Sequence, residues 1–133
     1  MQYLDANVIL RYILNDHPER SSKAKKLIGE NILEIPLEAL CEVVYVLKRT
    51  YGISRKDIAD TLLDFFNNTN CILPRREAVI KGIEYFGEKS LDFVDCLLAA
   101  YYEIENISIH TFDTKLNNLL ALIAETKKRE ITS

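Results

Sequence analysis

Residues 1–10 read MQYLDANVIL, a short apolar step followed by a carboxylate and then by a second apolar run. Residues 2–5 are too few for a helix and predict a short strand. The apolar spacing from Asn7 to about Leu14 predicts a helix with Asn7 as its N-cap. Asp5 therefore stands between two buried elements, where it is either a turn or capping residue or a ligand.

The same order of a short strand and a helix continues through the chain. Further strands are predicted at 32–35, 71–73 and 107–111, and further helices at 19–29, 36–51, 54–67, 75–86 and 91–105 and from about residue 114. This alternation predicts a single α/β domain over residues 1–133, an α/β/α sandwich with a central, mostly parallel sheet. In such sheets functional side chains gather at the carboxyl ends of the strands, where Asp5 and Asp113 stand.

The composition is that of a globular protein without a bulk affinity for nucleic acid. Hydrophobic residues make up 48% of the 133 residues, charged residues make up 28%, and the formal net charge is −3. A protein that binds nucleic acid by its overall charge would be basic, so any such contact here must be local. The basic groups that offer one, each of which also fits a solvated helix face, are Arg20, Lys23, Lys25 and Lys26, then Arg75 and Arg76, then Lys127, Lys128 and Arg129.

The cysteines and the apolar runs indicate a cytoplasmic protein. Cys41, Cys71 and Cys96 are scattered without a C-x-x-C motif, which is typical of small buried side chains in a reducing compartment. No basic residues precede the first apolar stretch, so no signal peptide is predicted. No apolar run approaches the roughly 20 residues of a membrane span. We therefore expect a soluble, cytoplasmic chain without membrane contact.

Two carboxylates lie on helices that are otherwise apolar. Glu42 falls in a predicted helix that is apolar on nearly every side, where a lone carboxylate is costly unless it is paired or binds a metal. A narrow wet stripe shared with Glu38 is the alternative. Asp95 has apolar neighbours along its helix face. Asp92, three residues earlier, shares that face and repels Asp95, although an acid in the first helical turn is also a sufficient explanation of Asp92.

Asp113 follows the last predicted strand. It is either the N-cap of the final helix or, with a hydroxyl donated by Thr111, part of a site. If the acids converge, their repulsion is relieved by a cation, and an all-oxygen donor set suits Mg²⁺ or Mn²⁺ rather than Zn²⁺. Such a site typically acts on phosphate esters, because the metal lowers the pKa of a bound water. The full candidate set is Asp5, Glu42, Asp95 and Asp113.

Taken together, four motifs resemble the PIN-domain family. They are YLDANVIL (3–10), LEALCEVVYVL (37–47), LDFVDCLLAA (91–100) and IHTFDTKL (109–116), and the resemblance runs from residue 2 to about residue 120. More narrowly, the chain resembles the VapC-type ribonuclease toxin of a VapBC toxin–antitoxin pair. The order and spacing of the four motifs carry this resemblance, because each motif alone is weak.

The resemblance implies an Mg²⁺- or Mn²⁺-dependent endoribonuclease that hydrolyses RNA phosphodiesters. The implied catalytic and metal-binding acids, matched motif by motif, are Asp5, Glu42, Asp95 and Asp113. The implied supporting residues are Asn7, Asp92 and Thr111. The implied partners are an RNA substrate, a second copy of the chain in a homodimer, and a cognate antitoxin that lies along an apolar groove and sends a basic side chain into the site.

The chain departs from the family pattern at its end. Where the family commonly has a short final strand, residues 117–130 predict one further helix. Two other functions stay open. One is a non-catalytic PIN-like module that binds RNA or protein, against which the presence of all four acids argues. The other is a PIN nuclease of RNA processing that has no antitoxin.

Overall fold

The computed structural model describes residues 1–132, so Ser133, the last residue of the predicted domain, lies outside the described residues. Seven helices lie within this range: α1 (Ala6–Leu14), α2 (Pro18–Glu30), α3 (Leu37–Arg49), α4 (Arg55–Asn68), α5 (Arg76–Glu88), α6 (Phe93–Glu105) and α7 (Thr114–Thr132). Every predicted helix is present, with small differences at its ends. Among these helices, none combines the length and the apolar character that a membrane span requires.

The predicted α/β sandwich with a central parallel sheet is wrong, because residues 1–132 contain no strand. Three of the four extended segments meet only in two isolated parallel bridges, which join Tyr3 to Glu34 and Glu34 to Ile72. At the first bridge, Leu4 N–H donates to Glu34 O at 2.9 Å. At the second, Ile72 N–H donates to Leu33 O at 2.8 Å. The described chain is therefore helical, with extended pieces that touch without forming a ladder.

Local chemistry explains why these segments do not become strands. The first runs directly into α1, and Pro36 and Pro74 end the other two, where a proline offers no N–H to a neighbouring strand. The fourth segment, 107–111, has the alternation of a strand but no bridge within the described chain. Its first amide is already used, because Ile107 N–H donates to Tyr101 O at the end of α6.

The first of two compact units spans Met1–Arg76. In it α1 packs against α2 and α3, and α3 packs against α4. A chain of edge-to-face rings links α1 to α4. Phe65 meets Tyr12 on one side and Phe66 on the other, with centroids 5.3 Å apart in each pair. The prediction of a single domain over residues 1–133 stays a prediction.

The second unit begins at Glu77, and in it α6 and α7 pack against each other. Helix α7 is one element of 19 residues, so the predicted C-terminal helix from about residue 114 is confirmed. Lys127 on α7 donates to Tyr102 O at 2.7 Å and to Asn106 Oδ1 at 2.8 Å, both at the end of α6. Lys127 therefore links the two helices. We do not count it among the residues of the candidate basic patches.

Candidate functional site

Two acids stand at the beginning of α6. The helix begins at Phe93, two residues later than predicted, and its N-cap is Asp92. The Asp92 side chain makes no capping hydrogen bond. Asp95 lies in the first turn and is partly buried. The partial positive charge of a helix N-terminus stabilises acids at these positions, which is sufficient to explain Asp92 without a metal.

A third acid stands at the beginning of α7. Asp113 Oδ2 accepts a hydrogen bond from Leu116 N–H at 2.8 Å, so Asp113 caps this helix. The hydroxyl of Thr111 accepts a hydrogen bond from Asp113 N–H at 3.0 Å. Capping occupies one carboxylate oxygen of Asp113. A carboxylate has a second oxygen and further lone pairs, so the cap does not prevent a role as a ligand.

Asp92, Asp95 and Asp113 make up one acidic cluster at the N-terminal ends of α6 and α7. Burial raises the pKa of the Asp95 carboxyl above its ordinary value, and the negative charges of Asp113 and Asp92 raise it further. None of the ion pairs in residues 1–132 includes a member of the cluster. The repulsion among the three acids is therefore not offset by a cationic side chain of the described chain.

The acidic cluster has the donor chemistry for a hard divalent cation. Carboxylate oxygens are the ligands that Mg²⁺ and Mn²⁺ prefer, and a bound cation would offset both the burial and the repulsion of Asp95. Within the described residues, no three His, Cys, Asp or Glu side chains are gathered closely enough to hold one ion. The cluster is thus a set of neighbouring carboxylates, and their side chains must rotate to share an ion.

Asp5, in the first unit, stands at the beginning of α1. It is the N-cap, with φ −81° and ψ 155°, and its side chain makes no capping hydrogen bond. The prediction that Asn7 caps this helix is wrong, because Asn7 lies one residue inside it. Both side chains are exposed. The Asp5 carboxylate is therefore presented at a helix N-terminus and is not consumed by capping, as its predicted role as a ligand requires.

Glu42, also in the first unit, lies on an open face of α3. The helix was predicted to be buried on nearly every side, but Glu38 and Glu42 are exposed, and Tyr45 is 60% exposed. The guanidinium of Arg49 lies 5.5 Å from the centre of the Tyr45 ring. Of the two alternatives for Glu42, burial is wrong, and the wet stripe shared with Glu38 describes its surroundings. Its predicted role as a metal ligand stays a prediction.

These acids fall in a region that matches a known family. A sequence model of the PIN domain matches residues 2–120, which is most of the chain. The chain belongs to the PIN-domain family. PIN domains are generally nucleases and typically use divalent metals, so this PIN protein belongs to a family of hydrolases that act on nucleic acid. No curated protein and no solved structure matches it.

A basic groove of about 500 Å³ lies between α1 and α2 of this PIN protein. It is lined by Asn7, Val8, Arg11, Arg20, Lys23, Ala24 and Leu27. The Arg11 side chain is held by Asp16 Oδ1 at 2.8 Å and by the hydroxyl of Tyr51 at 3.3 Å. Sequence reasoning named Arg20 and Lys23 but missed Arg11. The available signal was its spacing of four residues from Asn7, which places both on one face of α1.

Proposed function

We propose that this PIN protein is a divalent-metal-dependent endoribonuclease and that it acts as the toxin of a toxin–antitoxin pair. The observation that carries the proposal is the acidic cluster, which stands at two helix N-termini inside the region that matches the PIN domain. Its acids have no cationic partner in the described chain. Uncompensated carboxylates of this kind suit a site that binds a cation.

The proposed roles of the side chains follow from their surroundings. Asp95 is the central ligand, because it is the partly buried member of the acidic cluster. Asp113 is a second ligand whose orientation is fixed by the Leu116 amide, and Asp92 is an accessory. A bound Mg²⁺ or Mn²⁺ supplies a water of lowered pKa and charge stabilisation at the phosphate. The family resemblance adds Asp5 and Glu42 to the set of ligands.

RNA must be held by groups other than the acids, because a carboxylate site repels the phosphate backbone. The basic groove between α1 and α2 supplies cations for this purpose. Arg20 and Lys23 are exposed there. The pair of Lys23 with Glu19, at 3.5 Å, lies at the surface, where such pairs contribute little, so Lys23 can exchange it for a phosphate.

Lys23→Ala is expected to weaken RNA binding about fivefold and to lower the salt slope of the binding constant by about one. Lys26→Ala is the matched control, because Lys26 is exposed on the same helix but does not line the groove. The measurement is a fluorescence-anisotropy titration of labelled RNA at several salt concentrations in EDTA. Equal losses of RNA affinity in the two variants would show that the groove does not bind the RNA.

The toxin role requires an antitoxin that silences the nuclease. We propose that an antitoxin segment lies along an apolar groove and places a basic side chain among the acids, where it would replace the missing cationic partner. We also propose a homodimer, as the family resemblance implies. Growth arrest on expression, relieved by the product of an adjoining small reading frame, is the behaviour expected of such a toxin.

The test of the nuclease is cleavage of a labelled, structured RNA by the purified protein in Mg²⁺, in Mn²⁺ and in EDTA. Cleavage with either metal and its loss in EDTA are expected, because the carboxylates alone supply no activated water. Cleavage that persists in EDTA would show that the proposed chemistry is wrong. Absence of cleavage in every condition, with a folded protein, would favour a module that binds RNA or a partner without cutting.

A further inference from the structure

Phe112 projects completely into solvent, with an exposed fraction of 106%. Most of the other aromatic rings of the second unit are covered, for example Tyr85, Phe86 and Phe93, which are at most 8% exposed. Burying a Phe side chain is favourable, so full exposure forgoes that gain. Single exposed apolar side chains are common, and the surroundings of Phe112 must decide whether this one has a use.

The backbone around Phe112 is fixed on both sides. Thr111 O accepts a hydrogen bond from Asn117 Nδ2 at 2.9 Å, and Thr111 Oγ1 accepts one from Asp113 N–H at 3.0 Å. Asp113 Oδ2 in turn accepts a hydrogen bond from Leu116 N–H. Residues 111 and 113 are thereby tied to the first turn of α7. The exposed ring is thus carried by an ordered turn, and a ligand that contacts the ring need not order the backbone.

The turn also sets where the ring stands. Phe112 directly precedes Asp113, a member of the acidic cluster, so the backbone that carries the ring is continuous with that of the cluster. The bases of RNA are uncharged, so a base positioned here can gain from stacking on the ring whether or not the acids hold a cation. Stacking of a nucleobase on an aromatic side chain strengthens binding about 5- to 150-fold per base.

We propose that Phe112 is a stacking platform for one unpaired base of the RNA, next to the phosphodiester that the acidic cluster cleaves. This inference rests on the proposed function and deepens it by assigning a side chain that positions the RNA at the cut. The bases of a duplex already stack on their neighbours, so a regular helix offers no free face to Phe112. Phe112 is a positioning residue and supplies no chemistry.

The chain contains no tryptophan, which gives a direct probe of stacking. Phe112→Trp places a single indole at the platform. Its fluorescence is expected to fall when a single-stranded oligoribonucleotide binds in EDTA, where no cleavage interferes. An oligonucleotide with an abasic site at the stacked position, and a duplex of the same sequence, are expected to leave the fluorescence unchanged. Leu122→Trp, at an exposed position on α7, is the control and should not respond.

A second variant tests the effect on substrate use. Phe112→Ala is expected to raise the KM for single-stranded RNA about 5- to 150-fold, corresponding to ~1–3 kcal/mol of stacking, with kcat within a few-fold of the parent. Leu122→Ala should change neither. A general loss of folding would lower kcat and the melting temperature together, so the separate effect on KM identifies positioning.

The outcomes separate the two proposals. Quenching of Phe112→Trp by single-stranded RNA in a protein that never cleaves would support the platform and overturn the nuclease. Cleavage by the parent with an unchanged KM in Phe112→Ala would overturn the platform and leave the nuclease intact. Equal quenching of Phe112→Trp and Leu122→Trp would also overturn the platform. A Phe112 ring needed only for binding a protein partner would show no response to RNA and would overturn it as well.

Discussion

Replacing Asp95 with Asn is expected to lower the rate of RNA cleavage about a thousandfold without destabilising the fold. The amide keeps the shape of the side chain but cannot carry the charge that holds a divalent cation. Loss of one electrostatic contact at a reacting centre costs about 10²–10³ in rate, and a metal ligand stands at the upper end of that range. The comparison is single-turnover cleavage in Mn²⁺ at equal protein concentration.

The direction of the change in stability caused by Asp95→Asn can also be predicted. The pKa of Asp95 is raised in the folded chain by burial and by Asp113 and Asp92, so the folded state keeps this proton to higher pH than the unfolded state does. The stability that the protonated Asp95 contributes is fully present below the ordinary pKa of an Asp and is lost as pH rises through the raised pKa. At neutral pH the ionised Asp95 therefore destabilises the fold, and Asp95→Asn should have an equal or higher Tm.

Asp60→Asn is the control for this experiment. Asp60 is an exposed acid in the first unit, where it accepts a hydrogen bond from Lys56 Nζ at 3.0 Å. Such a surface pair contributes little, so the variant should match the parent in both Tm and cleavage. Asp95→Asn with full cleavage activity, or with a Tm several degrees below the parent, would contradict the role given to Asp95.

Replacing Phe65 with Ala is expected to cost about 3–5 kcal/mol of the free energy of unfolding. The ring is 4% exposed and stands between Tyr12 and Phe66, with which it makes edge-to-face contacts. Its removal leaves a cavity where α1 meets α4 and breaks both ring pairs. Because a domain of this size has a total stability of about 5–15 kcal/mol, a large part of it should be lost.

Phe65→Leu tests whether the loss of stability comes from the cavity or from an intolerance of this position to any substitution. It keeps most of the volume and should cost about 1–1.5 kcal/mol, chiefly through the lost ring contacts. Urea denaturation of both variants gives the two values. A loss below 1 kcal/mol for Phe65→Ala would mean that the aromatic chain does not hold α1 to α4.

The helices could be predicted from the sequence because their signals are local. Ser54 caps α4, with its hydroxyl accepting a hydrogen bond from Asp57 N–H at 3.1 Å, and Gly52 takes the φ of +63° that favours glycine after α3. The sheet could not be predicted, because pairing depends on partners elsewhere in the chain. The alternation of residues 107–111 fitted a strand, yet the Ile107 amide is used at the end of α6.

The candidate site was predictable in its residue types and less so in its surroundings. The sequence offered a cap and a ligand as uses of Asp113, and the structure shows that the capping bond is made. Counting apolar residues in α3 could not tell which face neighbouring helices cover, so the sequence left both a buried Glu42 and an exposed stripe shared with Glu38 open. Phe112 gave no sequence signal, since an exposed and a buried Phe look alike until the packing is known.

The most direct test of the central claim is Mn²⁺ binding, measured as free Mn²⁺ by electron paramagnetic resonance in titrations of the parent and of Asp95→Asn. The claim is that Asp95 and its neighbouring acids hold a divalent cation. We expect saturable binding by the parent and an affinity at least about tenfold weaker in the variant, as lost metal contacts produce. Equal binding by the two proteins, or no binding by the folded parent, would contradict the claim.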